Sequence, residues 1–308
     1  MISINLFDMI PLMAITLRQL EIFEKVARCG HVTQASSQLL LTQSAVSMAI
    51  AELERLAGAP LFERHGKRLF LNDRGRSILP EIEKALGITR GIEQFLESSA
   101  GEPAGVLNVG ASTTIGNYIL PDIVAEFSRC HTRARVSLTV GNARQIENAL
   151  ENGELDLGLT EGVPHSSVLH ATKWRDDRLV VVVGREHPWA QGGKATLDML
   201  REAQWLMREK GSGTREVFEA SMARKDVTFS IAMELGNTEA IKKAAEAGLG
   251  AGCLSILAVR RELENGWLAE IACPLDLGRT LFIQTRISTY QSRLLQAFLG
   301  LLAQHQKL

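Results

Sequence analysis

The main change in the spacing of apolar residues along this chain falls at Ser98-Ser99-Ala100-Gly101-Glu102-Pro103. Before it, Ile78, Ile82, Ala85, Thr89, Ile92 and Leu96 follow one another at intervals of four and three, the stripe of a long helix that seeks a partner helix. After it, short β-rich runs at 106–111, 136–140, 155–160 and 179–183 alternate with helical stretches, which predicts an α/β domain with mainly parallel pairing. A helix does not continue through a Gly and Pro cluster, so the chain is predicted to form two units of different architecture joined by a hinge at 99–104. With 308 residues, each can bury its own core.

The first unit divides further. Leu17, Leu20, Ile22, Phe23, Val26 and Ala27 have helical spacing, and Gly30 is a stop signal. Thr33 is expected to cap a short second helix, and Thr42 a third lined by Ala45, Val46, Ala49, Ile50, Leu53 and Leu56. Beyond Gly58-Ala59-Pro60, two short strands around His65-Gly66-Lys67-Arg68 have the form of a wing. The predicted boundaries are 16–73 for a winged helix-turn-helix and 74–98 for a linker helix. An α/β domain follows at 105–308, with a first lobe near 105–161 and 269–308 and a second near 162–268.

A formal net charge of −1 names no partner, but residues 64–76 carry Arg64, Lys67, Arg68, Arg74 and Arg76 against Asp73 alone. That local excess suits a polyanion. No stretch has the length of a membrane span, and residues 1–15 lack a basic leader and a cleavage site, so neither a membrane partner nor export is expected; Met13 is an alternative start to Met1. Cys29, Cys130, Cys253 and Cys273 have no metal-ligand spacing and suit a reduced cytoplasm. No metal or cofactor is expected, and Gly248-Leu249-Gly250-Ala251-Gly252 lacks the setting of a dinucleotide site. No nucleophile with a base and an orienting partner is evident, and His165 and His170 lack ligand partners at the right spacing, so an enzyme is not expected.

In a helix-turn-helix the start of the second helix enters the major groove of double-stranded DNA. Here those residues are Thr42, Gln43, Ser44 and Ser47, of which Gln43 can pair with adenine in bidentate fashion. Thr33 is placed beside them, and Arg64, Lys67 and Arg68 of the wing would supply phosphate or minor-groove contacts. Leu17-Arg18-Gln19-Leu20-x-x-Phe23, Ser44-Ala45-Val46-Ser47, Leu53-Glu54 and Leu61-Phe62-x-Arg64 together resemble the N-terminal signature of LysR-type regulators, over about residues 16–86. Gln34 and Met48-Ala49 depart from the commonest pattern, so an operator preference does not transfer. The resemblance implies a dimer through the linker helix, often a tetramer, and an effector domain shaped like a two-lobed periplasmic binding protein.

Two hydroxyl-rich turns carry the expected effector chemistry. Gly110-Ala111-Ser112-Thr113-Thr114-Ile115-Gly116 follows a strand and opens a helix, and Lys210-Gly211-Ser212-Gly213-Thr214-Arg215 opens another with two added cations. Hydroxyls and free N–H groups at helix starts welcome an anion. The candidate contacts are Ser112, Thr113, Thr114, Asn142, Ser212, Gly213, Thr214 and Arg215, with Glu161 left out because it would repel an anion. The longer segments around these turns, 110–121 and Arg208-Glu209-Lys210-Gly211-Ser212-Gly213-Thr214-Arg215, with Val140-Gly141-Asn142 and Gly158-Leu159-Thr160-Glu161-Gly162, resemble the branch that regulates sulfite and cysteine metabolism, which implies a sulfur oxyanion such as sulfite. A carboxylate or phosphorylated metabolite is the alternative effector. A solute-binding protein is the alternative class, but it would leave the first hundred residues without a use.

Overall fold

The computed structural model describes residues 15–66, 68–97, 102–287 and 291–306. Lys67, Ser98, residues 99–101 of the expected hinge, the two alternative starts and the side chain of Leu96 lie outside the described residues. The chain divides near Ile92 into two compact units.

The first unit runs α1 (Leu17–Cys29), α2 (Val32–Leu39), α3 (Gln43–Ala57), β1 (Phe62–His65), β2 (Arg68–Leu71) and α4 (Asp73–Glu97). Thr16 caps α1 by accepting from the Gln19 N–H while the Gln19 side chain reaches back, and Gly30, at φ +67°, ends the helix. The expected cap at Thr33 is corrected: His31, in extended backbone, holds that position, and Thr33 lies inside α2. With α1 ending at Gly30, the next extended residue is already the start of the next helix. The Thr33 carbonyl there accepts from the Ser36 and Ser37 hydroxyls.

Phe23, Val26, Ala35, Val46, Ile50 and Leu53 from three helices meet Leu61, Phe62, Ile82 and Leu86 in one core, with the Phe23 and Phe62 rings 5.0 Å apart. β1 and β2 pair antiparallel from Phe62↔Leu71 to His65↔Arg68. The Glu54 carboxylate accepts from the N–H groups of Leu61 and Phe62 at 2.8 and 3.2 Å, which fixes the wing to α3. A Cβ on Gly75 would stand 2.2 Å from the Leu61 carbonyl oxygen, so only glycine lets α4 start this close to the wing.

The second unit runs β3 (Gly105–Ser112), α5 (Thr113–Tyr118), α6 (Leu120–Cys130), β4 (Ala134–Gly141), α7 (Ala143–Glu151), β5 (Leu157–Glu161), β6 (Leu169–Gly184), α8 (Pro188–Gly192) and α9 (Leu197–Glu202). It continues with β7 (Gln204–Arg208), α10 (Gly213–Ala223), β8 (Ser230–Leu235), α11 (Thr238–Glu246), β9 (Ala251–Ser255), α12 (Ile256–Glu264), β10 (Leu268–Ile271), β11 (Gly278–Arg286) and α13 (Arg293–Gln304). Strand order is β4-β3-β5-β11-β6-β9-β7-β8, with β10 also on β6. Pairing is parallel for β3 with β4 and β5 and for β7 with β8 and β9, as the alternation of strand and helix predicts. The sheet is nevertheless mixed, because β6, β10 and β11 run antiparallel to their neighbours.

Two lobes follow from two cores. Leu107, Val109, Leu120, Phe127, Leu157, Trp174, Leu281 and Phe298 fill the first; Leu179, Val181, Trp205, Phe218, Met222 and Ile271 fill the second. The expected crossings at 161/162 and 268/269 are corrected by this division. β6 pairs with β11 up to Arg178 and with β9 and β10 from Leu179 onward, so the chain changes lobe in mid-strand and returns only with β11.

Candidate functional site

In the first unit, Gln43, Ser44 and Ser47 stand exposed on the first two turns of α3. Thr42, in extended backbone, caps the helix: its hydroxyl accepts from the Ala45 N–H at 3.2 Å and lies 3.0 Å from the Ser44 hydroxyl. Arg64 and Arg68 are exposed on the wing and form no ion pair among the described residues. Thr33 is exposed on α2. The surface therefore offers an amide, hydroxyls and unpaired guanidinium groups, all in reach of solvent.

In the second unit the hydroxyls are buried. Ser112 and Ser212 hold the N-cap positions of α5 and α10, yet neither side chain caps its helix. The Ser112 hydroxyl donates to the Glu161 carboxylate, and the buried Ser212 hydroxyl has no hydrogen-bond partner among the described residues. The Arg279 guanidinium, at the start of β11, joins the two turns: it donates to Thr214 at 3.0 Å and to Thr114 at 3.2 Å. Its charge faces Asp177 at 2.7 Å and Glu161 at 3.7 Å. Burial pushes the Glu161 carboxyl above the usual range, with Arg279 and Arg208 opposing the shift and Asp177 adding to it. Gly213 lets α10 approach, since a Cβ there would stand 2.3 Å from the Glu161 carbonyl oxygen.

Arg208, at the end of β7, reaches from the second lobe to the Thr113 hydroxyl at 3.2 Å. It also grips Glu209 through two contacts of 2.8 Å, so that, although burial acts against it, the Glu209 carboxyl stays below its usual range. Asn142 caps α7 in a reciprocal arrangement with Gln145, and its amide donates to Glu209 at 3.3 Å. Arg215 does not face the hydroxyls: it pairs with Glu219 at 2.7 Å, one helical turn on, and with Glu234 at 2.6 Å. This corrects its expected part in the cleft, and Arg208 and Arg279 are the cations that reach the hydroxyl-rich turns.

Residues 17–76 match the family described as bacterial regulatory helix-turn-helix protein, lysR family, and residues 100–307 match the LysR substrate binding domain. The chain belongs to the LysR family. Among its LysR relatives is the uncharacterized HTH-type transcriptional regulator YeiE of Escherichia coli, 41% identical over 288 residues, which are 93% of this chain and 97% of that protein. The regulatory domain of CcmR from Synechocystis, solved in complex with 2-PG, is 30% identical with a TM-score of 0.62, covering 66% of this chain and 98% of that one. CbnR, solved full-length with its target DNA, is 20% identical and shares the fold at a TM-score of 0.68, over 95% of this chain and all of that one. A LysR protein is a DNA-binding transcription regulator with a ligand-binding domain, not an enzyme.

For this LysR protein, sequence reasoning placed the hydroxyls but missed Arg279 and Asp177, and gave Arg208 no contact although it opens the second motif. The signal for Arg208 was its position next to the second turn. Arg279 lies 65 residues beyond Thr214 and 165 beyond Thr114, and only strand register brings it there. Among the described residues no helix is long and apolar enough to cross a membrane, and no cluster of His, Cys, Asp or Glu could hold a metal ion. Burial pushes the Cys253 thiol up, which leaves it a poor thiolate.

Proposed function

We propose that this LysR regulator binds a small oxyanion between the lobes of its second unit, and that occupancy changes how α3 and the wing engage DNA. The observation that carries the reading is that Arg279 joins buried Thr114 of the first lobe to buried Thr214 of the second, two residues from the buried Ser212 hydroxyl, which has no partner among the described residues. A buried hydroxyl without a partner is costly unless something accepts from it part of the time. An oxyanion at the start of α10 would do so, using the free N–H groups of the first turn. The ligand acts on DNA binding only by preferring one arrangement of the lobes.

Sulfite or a related sulfur oxyanion is the effector proposed first, on the motifs that resemble the sulfite and cysteine branch. A phosphorylated carboxylate is the second reading, favoured by the CcmR domain bound to 2-PG. Gln43, Ser44 and Ser47 are assigned to base edges, and Thr33, Thr42, Arg64, Lys67 and Arg68 to the backbone. The division into a DNA reader at 16–73, a linker helix at 74–98, a hinge at 99–104 and a sensor at 105–308 belongs to the same proposal. So does a dimer through α4, where Ile88 and Ile92 stand 59% and 55% exposed four residues apart, and so does the bacterial cytoplasm as its place of work.

Titration calorimetry of the full-length protein with sulfite, thiosulfate, sulfate, phosphate and 2-PG tests the effector. Saturable binding of one sulfur oxyanion is the expected result. Binding of 2-PG alone selects the second reading, and binding of none removes the cleft as an anion site while leaving the regulator assignment in place.

A further inference from the structure

The face that α3 turns to solvent over its first two turns consists of Gln43, Ser44, Ser47 and Met48. Val46, Ile50 and Leu53 of the same helix are buried, whereas Met48 is 72% exposed. It stands four residues after Ser44, and helical side chains lean toward the N-terminus, so its thioether lies over the turn that leads the helix into a groove. No residue of α3 itself supplies a cation on that face. The only arginine of α3, Arg55, lies on the last turn and is tied to Glu52 by contacts of 2.8 and 2.6 Å.

A major-groove edge presents hydrogen-bonding groups and one apolar group, the C5-methyl of thymine. Guanine is read best by a bidentate cation, which this face lacks. The Thr42 and Ser44 hydroxyls lie 3.0 Å from each other, and beside them stand the Gln43 amide, the Ser47 hydroxyl and the Met48 thioether. Of these, only Met48 is apolar, long and flexible enough to follow a methyl group.

We infer that Met48 reads a thymine methyl in each operator half-site. The inference rests on the reading of α3 as the helix that enters the major groove. It makes Met48 the specificity-determining apolar contact of a helix that carries no guanine-reading cation.

Full-length protein is used to enrich a duplex from a randomised library, and each thymine of the enriched duplex is then replaced singly by deoxyuridine, which removes the methyl and leaves the hydrogen-bonding edge. At one thymine per half-site the wild-type Kd is expected to rise about four-fold, the worth of one buried methyl. Met48→Ala, which removes the contact from both half-sites, should bind the thymine duplex about sixteen-fold more weakly and be indifferent to that deoxyuridine. Met48→Leu should recover the sensitivity, and Gln43→Ala should keep it. Met48 is exposed, so the variants are expected to fold, and thermal melting checks this. A wild-type protein insensitive to every deoxyuridine, or a Met48→Ala variant that keeps full sensitivity, overturns the inference alone; failure to enrich any duplex overturns the groove reading of α3 and the inference with it.

Discussion

Thr42 and Ser212 each stand in extended backbone just before a helix. Thr42 is exposed and spends its hydroxyl on the Ala45 N–H; Ser212 is 1% exposed, leaves its helix without a side-chain cap and has no partner for the hydroxyl among the described residues. Ser112 behaves like Ser212, its hydroxyl diverted to Glu161. Around them Asn142, Thr196, Asn237, Ser255 and Ser292 cap their helices in the ordinary way. A capping side chain satisfied by its own helix is explained by helix formation. One that is buried and declines the cap is held for a different partner, and in this molecule that distinction separates the cleft from the remaining helix starts.

The strongest test of the contrast is Arg279→Met. It leaves Asp177 buried without its ion-pair partner and Glu161 with Arg208 alone opposing its burial, and is expected to lower the stability of the second unit by about 3–5 kcal/mol in denaturant unfolding. A loss below about 1 kcal/mol would mean that water screens the cleft charges and that the hydroxyls there are not sequestered. Next in size, Thr114→Val with Thr214→Val removes both neutral acceptors of Arg279 and should weaken anion binding at least about tenfold, with DNA affinity unchanged. An unaltered anion Kd would remove these turns from the site.

A paired comparison sharpens the difference between caps. Thr42→Ala should cost the first unit about 1 kcal/mol. Ser212→Ala should cost the second unit nothing or raise its melting temperature slightly, because an unpartnered buried hydroxyl goes, and should still weaken anion binding. If Ser212→Ala destabilises as much as Thr42→Ala, the two caps do the same work.

The smallest effect is in pH. Burial holds the Glu161 carboxyl above its ordinary value, so the folded chain retains a proton that the unfolded chain has released. Stability is therefore expected to fall as pH rises from the ordinary glutamate value to the raised one. Anion affinity should fall over the same window, because a charged Glu161 repels the ligand. Arg279, Arg208 and Asp177 face it, and Ser112 donates to it, so the window is set by all four. Glu161→Gln should flatten both profiles, and an unchanged affinity profile would place Glu161 outside the anion's field.

The sequence made the first unit legible because its signals are local. Thr42 precedes a periodic run, Gly30 follows one, and the wing begins after Pro60 and turns at Gly66. The cap at Thr33 failed because Gly30 ends α1 so close to the next extended residue that α2 starts at once. In the second unit the hydroxyl turns could be found, but the residues that give them meaning could not. Trp174-Arg175-Asp176-Asp177-Arg178 does not alternate like a strand, so only the apolar end of β6 was recognised. Those charges sit where β6 meets β11, with Asp177 opposite Arg279 and Asp176 opposite Thr280. A local rule is broken where the site is built, which is where sequence pattern is expected to fail.

β6 is one continuous strand of 16 residues, about 50 Å of backbone, and both lobes hang on it. For inheritance this makes the sensor hard to recombine. An exchange of second lobes between relatives at 161/162 and 268/269 would deliver a foreign half-sheet to a native first lobe, with the cleft carboxylate Asp177 arriving from one parent and Arg279 from the other. Viable chimeras should keep β6 and β11 from a single parent, so effector specificity in such a domain drifts by point substitution around the cleft more readily than by shuffling its halves.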